Sequence, residues 1–204
     1  MLVIFRTDSS SKIGLGHIMR CLTLAERLRN RGVEVIFICR EHENNYSELV
    51  ESKGFKIKRL PYASCDQVEI TDDYNSTYAS WLGETWKTDA EQTIKFIETL
   101  QKKPDWIVVD HYALDYRWEG SLRDMTKKIM VIDDIADRKH DCDLLLDQNL
   151  IKNMYTRYND ILPLNCNRLL GPDYAIMQLD YAKFHDCIPL RSGPIKRLLI
   201  HFGA

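Results

Sequence analysis

The sequence predicts an α/β fold, a Rossmann-like parallel sheet with helices on both faces, and three observations carry that reading. Short apolar runs alternate with segments of helical periodicity. Several of the runs are apolar on both faces, as strands buried inside a covered sheet are. Polar residues gather just beyond the ends of the runs, where open parallel sheets bind their ligands.

The elements follow in chain order. "MLVIF" is a short continuous apolar strand, and from His17 to Arg31 the residues Ile18, Cys21, Leu22, Ala25 and Leu28 recur at helical spacing before Gly32. "VEVIFIC" reads as a second buried strand. A helix over Tyr46 to Lys53 is closed by Gly54, and the strand "FKIKRL" is closed by Pro61. The irregular stretch from Ala63 to Lys87 is longer than most connections in a compact domain and is a candidate ligand loop. It concentrates Tyr78, Trp81 and Trp86, aromatics that otherwise serve to pin a satellite cluster to the domain. A helix from about Asp89 to Lys102, the strand "WIVVD", a helix near Trp118 to Met125, the strand "KIMVIDD" and the shorter "DLLLDQ" complete the series. The ending "PIKRLLIHFGA" reads as a linker and a β-run, Leu198 to Phe202, before a glycine turn. The expectation is one domain over residues 1–190, with residues 191–204 forming the linker and first strand of a second domain that is missing.

Hydrophobic residues make up 45% and charged residues 28% of the 204, an ordinary globular composition with enough apolar side chain for one sizeable core. A net charge of −2 supplies no global field for nucleic acid or an anionic membrane, so an anionic ligand must be held by local groups. No apolar stretch reaches the roughly 20 residues of a bilayer span, and no basic leader with an apolar core opens the chain. A cytoplasmic location is expected. Cys21, Cys39, Cys65, Cys142, Cys166 and Cys187 contain no C-x-x-C pair, which argues against a zinc knuckle or a disulfide framework.

The segment "RTDSSSKIGLGHIMRC" joins the first strand to the first helix and carries the most chemistry. Gly14 and Gly16 let backbone approach a ligand, and the free N–H groups of a first helical turn favour negative charge. The dinucleotide fingerprint G-x-G-x-x-G fails because position 19 is Met19, and there is no P-loop G-K-[ST]. Tight turn packing is the plainer role for the glycines. His17 adds what glycine cannot: an imidazole at the positive end of a helix is expected to stay neutral and able to accept a proton, as a general base does. Arg20 lies three residues on, on the same helical face, within reach of a ligand oxygen or an internal carboxylate. Further polar residues stand at the other strand ends, "DHY", "DD" and "DQN". Asp110, His111, Asp133 and Asp134 form an alternative constellation, a divalent-metal cluster for phosphoester hydrolysis. Adjacent strand residues point to opposite faces, which counts against it.

Taken together, "RTDSSSKIGLGHIMRCLTLA", "TYASWLGETWKTDAEQT", "WIVVDHYALDYRWE", "VIDDIADRKHDCDLLLDQN" and "LLGPDYAIM" resemble the UDP-2,4-diacetamido-2,4,6-trideoxy-β-L-altropyranose hydrolases of pseudaminic acid biosynthesis. These hydrolases are similar to the two-domain GT-B glycosyltransferases, and "KRLLIHFGA" resembles the start of their nucleotide-binding second domain. The resemblance implies hydrolysis of a UDP-sugar at its anomeric carbon with inversion, without a required metal or other cofactor. It implies His17 as the catalytic histidine, with Asp8, Gly14, Gly16 and Arg20 as the matching loop positions. Tyr78 falls in the matching aromatic segment as a sugar contact, and Asp110 is placed bracing the loops or touching sugar hydroxyls. The partners implied are the UDP-sugar and the missing domain in cis. A glycosyltransferase, in which an acceptor hydroxyl replaces water, and a non-catalytic sugar-nucleotide-binding domain are the competing readings.

Overall fold

The computed structural model describes residues 1–62, 78–189 and 192–199. Among them seven strands form one sheet: β1 (Leu2–Thr7), β2 (Glu34–Arg40), β3 (Lys56–Leu60), β4 (Trp106–Asp110), β5 (Lys128–Ile132), β6 (Leu144–Asp147) and β7 (Asn167–Leu170). Every pairing is parallel and the order is β3-β2-β1-β4-β5-β6-β7. The first three strands run outward one way and β4 starts the other way, so the crevice that such sheets use for ligands opens between the carboxyl ends of β1 and β4.

Helices α1 (Gly16–Arg29) and α2 (Ser47–Ser52) cover one face, and α3 (Trp86–Glu98) and α4 (Tyr116–Ser121) the other. Period-2 alternation divides each strand between the two cores. Val3, Phe5, Val35, Phe37, Val108 and Met130 pack with Ile18, Cys21, Leu22 and Ala25 of α1. Leu2, Ile4, Ile36, Ile38, Ile107 and Val109 pack with Ala90 and Ile97 of α3 and Trp118 of α4. Continued past the apolar stretches, the same alternation sends Arg6 and Arg40 to the α3–α4 face and Asp110 to the α1 face.

The structure differs from the sequence-based expectation at several ends. Helix α3 begins at Trp86 rather than near Asp89, because the Thr85 hydroxyl oxygen caps it by accepting from the Thr88 N–H at 3.1 Å. Trp86 therefore belongs to a helix and packs against the α3–α4 core, with the Arg117 guanidinium 5.1 Å from its ring centre, not to a ligand loop. Of that expected loop, residues 63–77 lie outside the described residues. The region expected as one helix near Trp118 to Met125 divides into α4 and a 3₁₀ turn over Arg123–Met125. Strand β7 and helix α5 (Leu179–Cys187) were not anticipated. Leu198 and Leu199, expected to begin a strand, are exposed and irregular; the rest of that run lies outside the described residues.

Candidate active site

The loop after β1 is built to present the head of α1. The Ser10 hydroxyl oxygen accepts from the backbone N–H groups of Lys12 (3.2 Å) and Ile13 (3.1 Å), and the Gly14 N–H closes the turn on the Ser10 carbonyl at 2.8 Å. Gly14 sits at φ 79°, a left-handed conformation that favours glycine. Leu15 occupies the N-cap without a side-chain cap, so N–H groups of the first turn stay open beside exposed Gly16, around whose Cα there is free space.

His17 is the second residue of α1, and its imidazole meets the end of β4. Its Nδ1 lies 2.6 Å from Asp110 Oδ1. Arg20, one turn along, donates from Nε to Asp110 Oδ2 and from Nη2 to Oδ1, both at 2.6 Å, a bidentate clamp on the same carboxylate. Cys21 Sγ–H approaches Asp110 Oδ2 at 3.4 Å. Asp110 is fully buried; burial pushes its pKa up, but the charge of Arg20 and the hydrogen bonds from Arg20 and His17 outweigh this and hold it well below the usual carboxylate range. An ionised Asp110 only accepts, so the ring hydrogen sits on Nδ1. The approach of Arg20 Nη2 to that nitrogen, at 3.2 Å, is then a contact between donors. Nε2 has no hydrogen-bond partner among the described residues and is not sealed from solvent.

A second carboxylate closes the circuit. Arg20 Nη1 donates to Asp134 Oδ2 at 3.0 Å, and the Tyr112 hydroxyl donates to Asp134 Oδ1 at 2.5 Å. Burial first, then the bond to Asp134, push the Tyr112 phenol pKa up, so it remains a donor. The Tyr112 ring returns to His17 edge-on, 4.6 Å between centres at 80°. Tyr78 lies 5.0 Å and Trp81 5.9 Å from Tyr112, and Tyr78 meets Trp81 at 4.8 Å. The imidazole therefore stands beside a wall of three aromatic rings, and Tyr78 of the sequence-predicted set is brought to it.

Asp8 goes elsewhere. It is fully buried on the far side of the sheet, accepting from Arg6 Nη1 (2.5 Å) and Nη2 (2.9 Å) and from the Arg40 backbone N–H (2.7 Å). Asp89 of α3 joins it by accepting from Arg6 Nε (3.0 Å) and Nη2 (2.6 Å), from Arg40 Nη2 (2.6 Å) and from the Trp118 indole (2.9 Å). Burial raises both aspartates' pKa values, but the Arg6 charge heads the opposing causes and the net direction is downward. The position suits Asp8 to bracing the loop from beneath, because its oxygens do not reach the rim.

Asp110 and His111 diverge as neighbours on a strand should. His111 Nε2 lies 3.2 Å from Asp8 Oδ2 without a hydrogen bond between them, while its Nδ1 accepts from the Ala113 N–H at 3.0 Å. Asp133 is tied to Arg138 (2.8 Å) and to the Tyr158 hydroxyl (3.1 Å). Asp110, His111, Asp133 and Asp134 thus do not converge, and no three His, Cys, Asp or Glu side chains among the described residues stand together as metal ligands. Asp89, Tyr112 and the role of Asp134 were not anticipated. The sole signal for Asp89 was an acidic residue on the apolar stripe with Ala90, Thr93 and Ile97.

No protein-family model matches the chain. Over 183 residues it is 27% identical to the UDP-2,4-diacetamido-2,4,6-trideoxy-beta-L-altropyranose hydrolase of Campylobacter jejuni subsp. jejuni serotype O:2, a match covering 89% of this chain and 53% of that protein. An uncharacterised protein of Methanocaldococcus jannaschii is 23% identical over 211 residues, covering 100% of this chain and 37% of the other. The chain thus spans about half the length of the first relative and less of the second. Among solved structures, TcCGT1 in complex with UDP is 16% identical with a TM-score of 0.43, over 64% of this chain and 28% of its own. MurG of Acinetobacter baumannii is 8% identical with a TM-score of 0.49, over 83% of this chain and 44% of its own.

Proposed function

We propose that this chain carries the base-bearing half of a UDP-sugar hydrolase, one that cleaves a UDP-linked 2,4-diacetamido-2,4,6-trideoxyhexose at its anomeric carbon with inversion. The observation that carries the reading is the 2.6 Å contact between buried, ionised Asp110 and His17 Nδ1 at the β1–β4 crevice. It fixes the tautomer in which Nε2 holds the lone pair, and Nε2 is the nitrogen left open. The 27% identity to a hydrolase of that name, over 89% of the chain, supports the choice of substrate.

In the mechanism, water enters beside Nε2 on the sugar face opposite UDP. As the C1–O bond to the β-phosphate lengthens and the ring carbon gains oxocarbenium character, His17 Nε2 takes one proton from the attacking water. The products are the free sugar, UDP and an imidazolium that Asp110 stabilises. Both oxygens of Asp110 and both of Asp134 are engaged by Arg20, His17 and Tyr112, so neither is a ready nucleophile, and direct attack by water inverts the anomeric centre. The open N–H groups at the head of α1, beside Gly16, suit a phosphate oxygen carrying developing charge. The rest of the nucleotide's grip is assigned in this reading to a second domain outside these 204 residues.

The test is UDP release from the UDP-linked diacetamido sugar by the full-length protein in ¹⁸O-water. Wild type is expected to place the label at C1 of the sugar, and His17→Ala to lower the rate by at least about 10²-fold. Near-normal release by His17→Ala, or release only on adding a sugar acceptor, overturns the proposal.

A further inference from the structure

A separate cleft opens on the other side of the first loop, beyond the carboxyl ends of β1, β2 and β3. It encloses about 440 Å³, counting the part open to solvent. Ser10, Lys12 and Ile13 form one side, His42 and Glu43 of the β2–α2 loop another, and Tyr62, Ser80 and Trp81 the rest. Its walls are set by packing. The His42 and Tyr62 rings meet at 5.1 Å, and Gly83, at φ 66°, leaves them room: a Cβ there would come 2.4 Å from Tyr62 Cε2 and 3.2 Å from His42 Cε1. Trp81 is shared, since its ring also reaches Tyr112, which lies against His17.

The lining selects a class of ligand. Lys12 and Glu43 contribute one charge of each sign, which suits a neutral group better than a phosphate or carboxylate. The Ser10 oxygen already accepts two backbone N–H groups, leaving its own O–H to donate. His42 Nε2 faces the ionised Asp8 at 3.3 Å, so in the neutral ring the hydrogen sits there and Nδ1 is an acceptor, with no partner among the described residues. The cleft therefore offers a donor, an acceptor and two aromatic faces, matching the C=O, N–H and methyl of an acylated amine.

We infer that the cleft lined by Ser10, Lys12, His42, Tyr62, Ser80 and Trp81 binds an N-acyl amino substituent of the sugar whose anomeric carbon lies at His17. The inference rests on the sugar-nucleotide reading, and it assigns one acetamido group to a place distinct from the catalytic imidazole. Trp81 orients the sugar between the two.

Two measurements test it separately. Saturation-transfer NMR of the 204-residue chain with N-acetylglucosamine, N-acetylgalactosamine and N-acetylmannosamine is expected to show the acetyl methyl as the most strongly saturated group. The effect should vanish in Ser80→Phe, where an exposed serine gains a ring over the cleft without entering the core. Ring protons saturated as strongly as the methyl for all three sugars, or a signal unchanged in Ser80→Phe, overturn the assignment. In the full-length protein, Ser80→Phe is expected to raise KM about tenfold for the acylated UDP-sugar, with kcat within about twofold. An unchanged KM, or a fall confined to kcat, also overturns it. If no UDP-sugar is cleaved at all, the hydrolase reading fails, while the methyl signal still decides the cleft.

Discussion

Replacing Asp110 with asparagine keeps the size of a buried side chain and removes its charge from three contacts at 2.6 Å. Two consequences separate by magnitude. Arg20 keeps only Asp134, at 3.0 Å, as an ionic partner. Losing one partner of a sealed ion pair costs about 3–5 kcal/mol; the Arg20 side chain is 12% exposed, so water offsets part of this and about 1–3 kcal/mol is expected. The catalytic consequence is larger. An asparagine can turn either its oxygen or its NH₂ toward Nδ1, and the amide form places the ring hydrogen on Nε2, where the lone pair is needed. A fall of about 10²–10⁴-fold in UDP release is expected, read from initial rates, while chemical unfolding of the same sample reads stability. His17→Ala combined with Asp110→Asn should cost no more than His17→Ala alone, because the two act as one unit. Asp110→Asn that releases UDP at the wild-type rate, or costs that multiply independently in the double variant, would refute the orienting role.

The remaining expectations concern the surroundings. Tyr112→Phe loses the bond to Asp134 but keeps the ring against His17, so a loss of about 3–10-fold in kcat is expected, whereas Tyr112→Ala removes the wall as well and should cost at least tenfold more; equal effects would show that the ring does not matter. Asp89→Ala leaves Arg6 and Arg40 short of a counter-charge in a sealed site, and about 3–5 kcal/mol of unfolding free energy should be lost in denaturant titration, against under 1 kcal/mol for the exposed Lys56→Ala. His111 has its pKa lowered, chiefly by burial, so the unfolded chain takes up the proton first. Stability should be full above the ordinary imidazole value of about 6.5 and fall as pH drops below it. Asp8, Asp89 and Asp110, held low, keep their contribution until below about pH 4. Thermal melts at pH 7 and pH 5 should therefore differ less for His111→Asn than for wild type.

What could be read in advance followed from periodicity. The strands "LVIF", "VEVIFIC" and "WIVVD" declare themselves because both faces are buried, and the glycine turn before His17 announces a helix start at the sheet rim. Strand β7, "NRLL", is an edge strand of intermediate burial and carries no such pattern. Helix α5 leaves Tyr181 and Phe184 exposed, so these two aromatics mark no core-facing stripe. The arginine–aspartate cluster joins positions 6, 8, 40 and 89, which only the sheet order brings together. For that reason the burial of Asp8 beneath the first loop, bound by Arg6 and the Arg40 N–H, carries no local signal. Asp110 was visible as a polar strand end, yet its contact with His17 depends on β1 and β4 being neighbours, which no local signal states.

Consecutive placement of Asp110 and His111 on opposite faces makes the end of β4 intolerant of changes in length. Deleting one residue from the strand would carry the histidine to the place of Asp110, taking from Arg20 and His17 the carboxylate they share, and would draw Asp110 back to the place of Val109 in the α3–α4 core, with Tyr112 arriving where His111 meets Asp8. Variation in length among related sequences should then appear only beyond Tyr112, while the count of residues from Trp106 to Tyr112 stays constant.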